Sequence, residues 1–313
     1  MAQNVQDNDT SPLVAHHLKR LNLIVGKGGV GRSTIAAVLA KAAAADGKRV
    51  LLAELQDDHA SDSVLARNFE LPHFQIEPAE ISPNLWAMSL SPATGQSLFL
   101  NSFLKIHALS QSILKNKGVQ WFLEGAPAFR EMGFFYHLLL QLRKKHFDCI
   151  ILDLPATGHV VGLAKLPRIL LRLIPIGPIA ERLKEGQSYF YDTQHTAAWI
   201  VTLPQTLPVS ESIELKNALV SETIPIGGFI LNRAPFNPFT RDEVKEAQIV
   251  LQSSESRTPA MMFERIRRLN EATEKLCEET KNSSESLALF VAQEVLKPMI
   301  DLLSTTPLQR FKC

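Results

Sequence analysis

A glycine-rich turn, set between an apolar strand and an alanine-rich helix, constrains the fold of this chain more than any other feature. The apolar run Leu21–Val25 predicts a short buried strand, and glycines follow it directly. Residues 35–45 are alanine-rich and favour a helix, and the apolar run at 49–55 predicts a second strand. Because a strand, a helix and a strand in this order form a βαβ unit, the two strands are expected to be parallel.

The alternation of strands and helices continues along the rest of the chain. Further strands are predicted at 149–152, 198–203, 226–231 and 287–291, amphipathic helices at 211–220 and 264–279, and helical spacing of apolar residues throughout 91–145. This order indicates an α/β fold with a doubly wound, mostly parallel sheet and a helical subdomain. We expect a flexible tail at 1–19 and a single domain at 20–313, with helical insertions at about 91–145 and 160–195.

Composition excludes several classes of protein. Lys plus Arg number 33 against 32 for Asp plus Glu, so no excess of positive charge predicts nucleic acid as a partner. The stretch 160–180 is apolar, but Lys165, Arg168 and Arg172 interrupt it, which argues against stable membrane insertion. The first residues are polar and have no apolar core, so we do not expect them to act as a signal peptide. Three widely spaced cysteines fit a reducing compartment, and we expect a cytoplasmic protein.

The turn itself has the spacing of a phosphate-binding loop. Residues 26–34 read G-K-G-G-V-G-R-S-T and fit the pattern G-x-x-x-x-G-K-[ST], except that Arg32 stands where lysine is usual. Such loops aim backbone N–H groups and a helix N-terminus at phosphate oxygens. The predicted ATP-binding residues of this segment are Gly28, Gly29, Val30, Gly31, Arg32, Ser33 and Thr34. The Ser33 hydroxyl is also predicted to bind Mg²⁺. A ligand-free glycine turn is disfavoured by the flanking strand and helix.

A carboxylate follows a later strand in the segment D-L-P-A-T-G-H at 153–159. At the end of a strand beside the phosphate loop, Asp153 would suit a ligand of Mg²⁺ or of its bound water. A helix cap or a strand-end salt bridge is the alternative interpretation. The segment becomes more specific when it is considered together with the residues around it.

Residues 147–159, followed by Leu163 and by Leu166-Pro167, resemble the switch segment of the ArsA family, whose pattern is D-T-A-P-T-G-H, then a leucine-rich helix and L-P. This family contains arsenical-pump ATPases and the GET-pathway ATPases that target tail-anchored membrane proteins. Segments 125–131, 202–211 and 227–233 extend the resemblance. It implies a divergent member of the family in which Asn232 takes the position that reads the adenine ring and His159 belongs to the moving switch.

The resemblance also carries implications for assembly. Lys27, directly after the first glycine, marks the deviant Walker group, in which this lysine reaches across a dimer interface to the partner's nucleotide. No task within its own protomer is evident for Lys27, although an exposed loop lysine is the alternative. A homodimer or a heterodimer with a paralogue is therefore expected. The apolar helices at 97–116, 128–145 and 163–190 would form a groove for a hydrophobic client helix, or would simply pack as core.

Three features depart from the family pattern. Arg32 keeps the positive charge of lysine but differs from it in shape. In the first switch, where the family has S-T-D-P-A-H, alignment on His59 puts Gln56 at the water-orienting aspartate, with Asp57 next to it. Either residue could take this role, because glutamine also positions water in small GTPases. The paired zinc cysteines and arsenite-binding cysteines have no counterpart, so arsenite binding is not expected.

Two functions fit these observations. The first is a slow ATP-hydrolysing switch in which Lys27, Arg32, Asp153 and either Gln56 or Asp57 are catalytic. The second is a nucleotide-binding regulatory subunit that does not hydrolyse ATP and pairs with an active paralogue. A MinD-like membrane-positioning ATPase is disfavoured, because the end of the chain at 305–313 is too short and too weakly amphipathic for a membrane-binding helix.

Overall fold

The computed structural model describes residues 16–56, 63–107, 127–155, 158–173, 175–235, 239–252, 257–283, 287–293 and 309–310. The strands are β1 (Leu21–Val25), β2 (Val50–Leu55), β3 (Ala79–Ser82), β4 (Leu85–Leu90), β5 (Cys149–Asp153), β6 (Thr196–Thr202), β7 (Ile226–Ala234), β8 (Ala288–Gln293) and β9 (Gln309–Arg310). They form one nine-stranded sheet in the order β3-β4-β2-β5-β1-β6-β7-β8-β9.

Every pairing among the seven inner strands is parallel, and only the edge strands β3 and β9 pair in an antiparallel manner. The helices are α1 (Arg32–Ala45), α2 (Val64–Arg67), α3 (Pro92–His107), α4 (Pro127–Lys144), α5 (Gly158–Leu173), α6 (Pro178–Tyr191), α7 (Thr206–Ser221), α8 (Arg241–Gln252) and α9 (Arg257–Lys281). Buried apolar residues form two core clusters, and residues of the inner strands contribute to both. The predicted doubly wound α/β fold is confirmed.

The central position of β1 determines where the functional site lies. Its neighbours are β5 on one side and β6 on the other, and all three strands run in the same direction. The carboxyl ends of the parallel strands therefore meet at one edge of the sheet, where ligands bind in open α/β sheets. The glycine-rich turn follows β1 at this edge.

The strands β3 and β4 are absent from the sequence prediction. Leu85–Leu90 is a short, almost uninterrupted apolar segment whose burial depends on pairing with β2. Ala79–Ser82 is partly exposed and lies at the edge of the sheet, so its residues carry little apolar pattern. Of the predicted helical stretch at 91–145, α3 and α4 are helical, and residues 108–126 lie outside the described residues.

The packed body of the protein begins before residue 20, the predicted boundary of the tail. The ring of His17 contacts the ring of Phe290 on β8, with 5.7 Å between the centroids, and Leu18 is buried.

Burial raises the pKa of the Cys149 thiol to about 12, which fits a cysteine within the core. Cys277 is disulfide-bonded, which the wide spacing of the cysteines did not predict.

The helices α3 and α4 cross with their backbones in direct contact. A methyl group at Gly95 would overlap the backbone of Gly133, and one at Gly133 would overlap the carbonyl of Pro92. Both positions therefore require glycine, because no other residue allows the backbones to approach so closely. Within the described part of the chain, none of the helices is long and apolar enough to cross a membrane.

Candidate functional site

The glycine-rich turn has the backbone geometry of an anion-binding loop. Gly29 and Gly31 have φ angles of 81° and 91°, in the left-handed region that glycine adopts without strain. Gly31 also caps α1 at its N-terminus, without a side-chain hydrogen bond, and the first turn of α1 has no acidic residue. Since no side chain caps these first N–H groups and the turn itself has no acidic residue, the start of this 14-residue helix suits a phosphate.

The exposed side of the turn leaves space for a ligand. A methyl group built on Gly28 or on Gly29 would meet no atom within 4 Å, and Lys27 and both glycines are exposed. Val30, by contrast, is buried and anchors the turn on the core. The predicted phosphate-binding segment is thus open on one side and packed on the other, as a phosphate-binding loop requires.

Asn232 connects the end of β7 to this turn. Its side-chain amide donates a hydrogen bond to the Val30 carbonyl at 2.9 Å, and its Oδ1 accepts one from the backbone N–H of Arg233 at 2.9 Å. The Asn232 amide also lies so close to Gly31 that a methyl group there would collide with it. Asn232 therefore holds the loop in shape, a role that sequence reasoning missed. The adenine-reading role implied by the resemblance stays a prediction.

Ser33 and Asp153 are brought together by the pairing of β1 with β5. Asp153 ends β5 beside Ile24 of β1, and Ser33 lies in the first turn of the helix that follows β1. Asp153 accepts a hydrogen bond from the Ser33 side chain. Burial raises the pKa of Asp153, while this hydrogen bond and the charge of Arg32 oppose that increase. A hydroxyl and a carboxylate in contact at this place are hard oxygen ligands that suit Mg²⁺.

The guanidinium of Arg32 points toward the same end of β5. Its Nη1 donates a hydrogen bond to the Leu154 carbonyl at 2.5 Å. Burial lowers the pKa of Arg32, and the nearby charge of Asp153 partly offsets this effect. Arg32 is therefore fixed by a backbone carbonyl of the switch segment, and its remaining N–H donors stay near the position of Asp153.

Glu54 is a site residue that sequence reasoning missed. It lies opposite Asp153 in the register of β2 and β5 and is only 8% exposed. Its two oxygens accept hydrogen bonds from Ser63 at 2.7 Å and from Ser89 at 3.1 Å. Burial raises its pKa, and the charge of Asp153 adds to that increase. The signal that could have identified Glu54 from sequence is that it is the single carboxylate within the otherwise apolar strand Val50–Leu55.

Gln56 joins the same network. Its Oε1 lies 2.8 Å from the Ser89 hydroxyl, which also contacts Glu54. Ser63 accepts a hydrogen bond from the Ala66 backbone N–H and caps α2. Glu54 thus connects Gln56, which precedes segment 57–62, with Ser63, which follows it; the link to Gln56 passes through Ser89. The alternative candidate, Asp57, lies outside the described residues, and so does His59; the side chain of His159 is not described either.

These side chains surround one cavity of about 350 Å³. Its lining includes Arg32, Ser33, Glu54, Gln56, Arg130 and Asp153. A second cavity, of about 200 Å³, lies at the carboxyl ends of β6 and β7 and is lined by Gln205, Arg233, Arg265 and Arg268 among others. Because β1 stands between β5 and β6 in the sheet, the phosphate loop lies between the two cavities.

Lys27 has a partner within its own chain, contrary to the expectation from sequence. Its ammonium lies 3.1 Å from Oε1 of Glu211 on α7. The two side chains are 49% and 26% exposed. An ion pair with this much solvent contact contributes little to stability, so it can be exchanged for another partner.

Comparison with known proteins identifies the family. The family model described as anion-transporting ATPase, ArsA, matches residues 19–177, which are 159 of the 313 residues. The matched part contains the phosphate loop, Glu54 and the switch segment that follows β5. The chain belongs to the ArsA ATPase family. Its sequence resemblance to this family is thereby confirmed.

Individual relatives carry related names. The chain is 29% identical over 225 residues to ATPase BagA of Mycobacterium tuberculosis, an alignment that covers 68% of this chain and 65% of that protein. It is 27% identical to a putative arsenical pump-driving ATPase of Aquifex aeolicus, over 71% of this chain and 82% of the relative. An ATPase ASNA1 homolog of Babesia bovis is 31% identical over 53% of this chain and 44% of its own length.

Proposed function

We propose that this protein binds ATP with Mg²⁺ and hydrolyses it slowly, as a nucleotide-driven dimeric switch. The observation that carries the proposal is the hydrogen bond between Ser33 and Asp153 at the start of α1. A hydroxyl and a carboxylate meet beside a helix N-terminus that has no side-chain cap, which supports a metal–triphosphate site. Ser33 and Asp153 would hold Mg²⁺ there, and the metal would supply positive charge that offsets the charge of the phosphates.

The residues around the loop have distinct tasks in this proposal. Backbone N–H groups of 28–34 bind the phosphates, and Thr34 lies on the α-phosphate side. Arg32 keeps its hydrogen bond to Leu154 and directs the rest of its guanidinium at the terminal phosphates. The base occupies the cavity at the ends of β6 and β7, next to Asn232.

Hydrolysis requires a positioned water molecule, and the Glu54 network supplies the support for it. Gln56 lines the cavity and is connected through Ser89 to Glu54. We propose that Gln56 orients the attacking water, with Asp57 as the alternative, and that Glu54 is a positioning residue that fixes both ends of segment 57–62. A glutamine in place of a carboxylate cannot take up the proton, which is consistent with slow turnover.

Dimer formation is the second part of the proposal. Lys27 is exposed on the loop, and among the described residues its ion-pair partner is Glu211, in a solvent-accessible contact. Its ammonium can therefore leave Glu211 and contact the nucleotide of a second subunit, either another copy or a paralogue.

We do not extend the proposal to a hydrophobic client. Most described apolar residues of α4, α5 and α6, including Leu138, Leu166 and Leu183, are buried in the core.

A phosphate-release assay tests the enzymatic part of the proposal. We expect slow, Mg²⁺-dependent release from ATP in the wild type, and none from Asp153→Asn. Asp148→Asn is the matched control, because Asp148 precedes the same strand at its opposite end and pairs with Arg49 on the surface. Equal rates for wild type and Asp153→Asn would refute hydrolysis at this site.

The regulatory-subunit function is the second candidate, and two observations favour it. Arg32 replaces the usual lysine, and alignment with the family pattern on His59 puts Gln56 in place of the water-orienting aspartate, with Asp57 next to it. This function predicts that Mg·ATP raises the melting temperature while no phosphate is released, alone or with a client. Binding together with release that Asp153→Asn abolishes would exclude it.

A further inference from the structure

Arg130 lies in the first turn of α4 and lines the cavity beside the phosphate loop. Phe134 lines the same cavity and is only 4% exposed. Residues four positions apart share one face of a helix, so this face of α4 is directed at the cavity. Arg130 itself is exposed, and a molecule in the cavity therefore has access to its side chain.

The charged residues of this cavity come from four different elements. Arg32 belongs to α1, Glu54 to β2, Asp153 to β5 and Arg130 to α4. Among the described residues that line the cavity, the two arginines are the cations. Arg32 already donates a hydrogen bond to the Leu154 carbonyl and interacts with the charge of Asp153. A triphosphate that enters the cavity would therefore gain from the second cation, which α4 provides.

The other residues of the cavity indicate which phosphate Arg130 would meet. In the proposed function, on which this inference rests, Ser33 and Asp153 hold the metal and Gln56 orients the attacking water. All three residues line the same cavity as Arg130. Because the water attacks the terminal phosphate, this phosphate lies between Gln56 and the metal ligands. The terminal phosphate is therefore the group that enters the cavity shared with Arg130.

The helix that carries Arg130 is fixed by its neighbours. The carboxylate of Glu131 lies against Gly162 of α5, and the backbone of Gly133 touches that of Gly95 on α3. These contacts define the position of the first turns of α4 relative to the cavity. A charge on an element that is already in place stabilises a ligand more effectively than one that must first be ordered.

We propose that the guanidinium of Arg130 binds the terminal phosphate of ATP and so distinguishes ATP from ADP. A planar guanidinium with five N–H donors matches two oxygens of one phosphate. ADP has no group at this place, so its affinity does not depend on Arg130. The contact also links the nucleotide to α4, and through Gly133 to α3.

Two nucleotides separate this contact from the rest of the site. Calorimetric titration of the full-length protein with Mg²⁺ and either ADP or the non-hydrolysable ATP analogue adenylyl imidodiphosphate measures both affinities. We expect Arg130→Gln to weaken the analogue by about tenfold or more, as for a lost hydrogen bond to a charged group, and to leave ADP unchanged. Arg130→Lys keeps the charge without the fork geometry, so it should lose part of the analogue affinity and none of the ADP affinity.

Arg143→Gln is the matched control, because Arg143 lies near the other end of α4 and pairs with Glu185 on the surface. It should change neither affinity. An unchanged analogue affinity in Arg130→Gln, or an equal loss for both nucleotides, would overturn the role of Arg130 and leave the proposed function standing. A wild type that binds neither nucleotide would refute the proposed function and this inference together. Should Arg130→Gln fail to fold, Arg130→Lys applies the same test with a smaller change.

Discussion

Glu54 and Asp153 lie directly opposite each other on adjacent parallel strands, and both line the cavity beside the phosphate loop. Burial raises the pKa of each carboxyl group, and Asp153 adds to the increase at Glu54. Two carboxylates held this close in a buried place favour the protonated form of at least one of them. The ligand-free protein therefore carries an electrostatic cost at this edge of the sheet that a bound cation would relieve.

The first prediction concerns the pH dependence of stability. A carboxyl group whose pKa is raised in the folded protein holds its proton more tightly when folded than when unfolded. Its contribution to stability is therefore lost as the pH rises from the ordinary glutamate value of 4.5 through the raised value. We expect Glu54→Gln to reduce this loss in ligand-free protein. Urea unfolding between about pH 4.5 and pH 8 measures the free energy of unfolding of both proteins. The same pH dependence in wild type and Glu54→Gln would contradict the prediction.

The second prediction concerns the shape of the phosphate loop. Gly31→Val places a branched side chain at φ 91° and against the Asn232 amide, so we expect it to abolish the rise in melting temperature that Mg·ATP produces. Gly28→Ala is the control for folding, because its new methyl group meets no atom within 4 Å and its melting temperature without nucleotide should not change. Calorimetry with and without Mg·ATP measures both, and a retained shift in Gly31→Val would refute the prediction.

The third prediction concerns Lys27. Because its ion pair with Glu211 is largely exposed, Lys27→Ala should change the free energy of unfolding by less than about 1 kcal/mol. It should nevertheless lose most ATP turnover while keeping the affinity for ATP. Analytical ultracentrifugation with Mg·ATP should show a dimer for the wild type. Glu211→Gln frees the same ammonium and should not lose turnover, so equal losses in both variants would point to the intrachain pair instead. Full activity of a strictly monomeric protein would refute a contact between subunits.

The fourth prediction concerns Arg32. Its Nη1 is bonded to the Leu154 carbonyl, and a lysine has only one terminal nitrogen, which cannot bind that carbonyl and the phosphates with the same fork geometry. We expect Arg32→Lys to leave hydrolysis unchanged or lower it, by up to about a hundredfold if the phosphate is displaced. Single-turnover assays would show this. An increase, larger still when combined with Gln56→Asp, would mean that arginine disables a formerly active site.

Much of the site could be predicted from sequence because its motifs are local. Ser33 and Asp153 were each recognised from a segment of fewer than ten residues, and the strand and helix around each segment were predicted correctly. Glu54 could not be assigned, because its importance depends on the register of β2 against β5. The same holds for the partner of Lys27, since Glu211 is distant in sequence and only the packing of α7 brings it near.

The parts of the fold that were not predicted depend on pairing in the same way. β4 is buried only because it extends the sheet beyond β2, and a six-residue apolar segment does not reveal this by itself. The burial of His137 and Gln141 on α4 could not be predicted from sequence either. A histidine and a glutamine four residues apart on a helix usually indicate a solvated face, whereas here both are buried.

The direct contact of α3 with α4 at Gly95 and Gly133 determines how these two helices can move. Because only glycine fits where the two backbones touch, sliding one helix along the other would bring a residue with a side chain into the contact, so a change of crossing angle meets less steric resistance. α4 also carries Glu131, whose carboxylate lies against Gly162 near the start of α5, just after the switch segment. We therefore expect a displacement of α5 to rotate α3 relative to α4. The end of α3 at His107 would then move farther than the crossing point at Gly95.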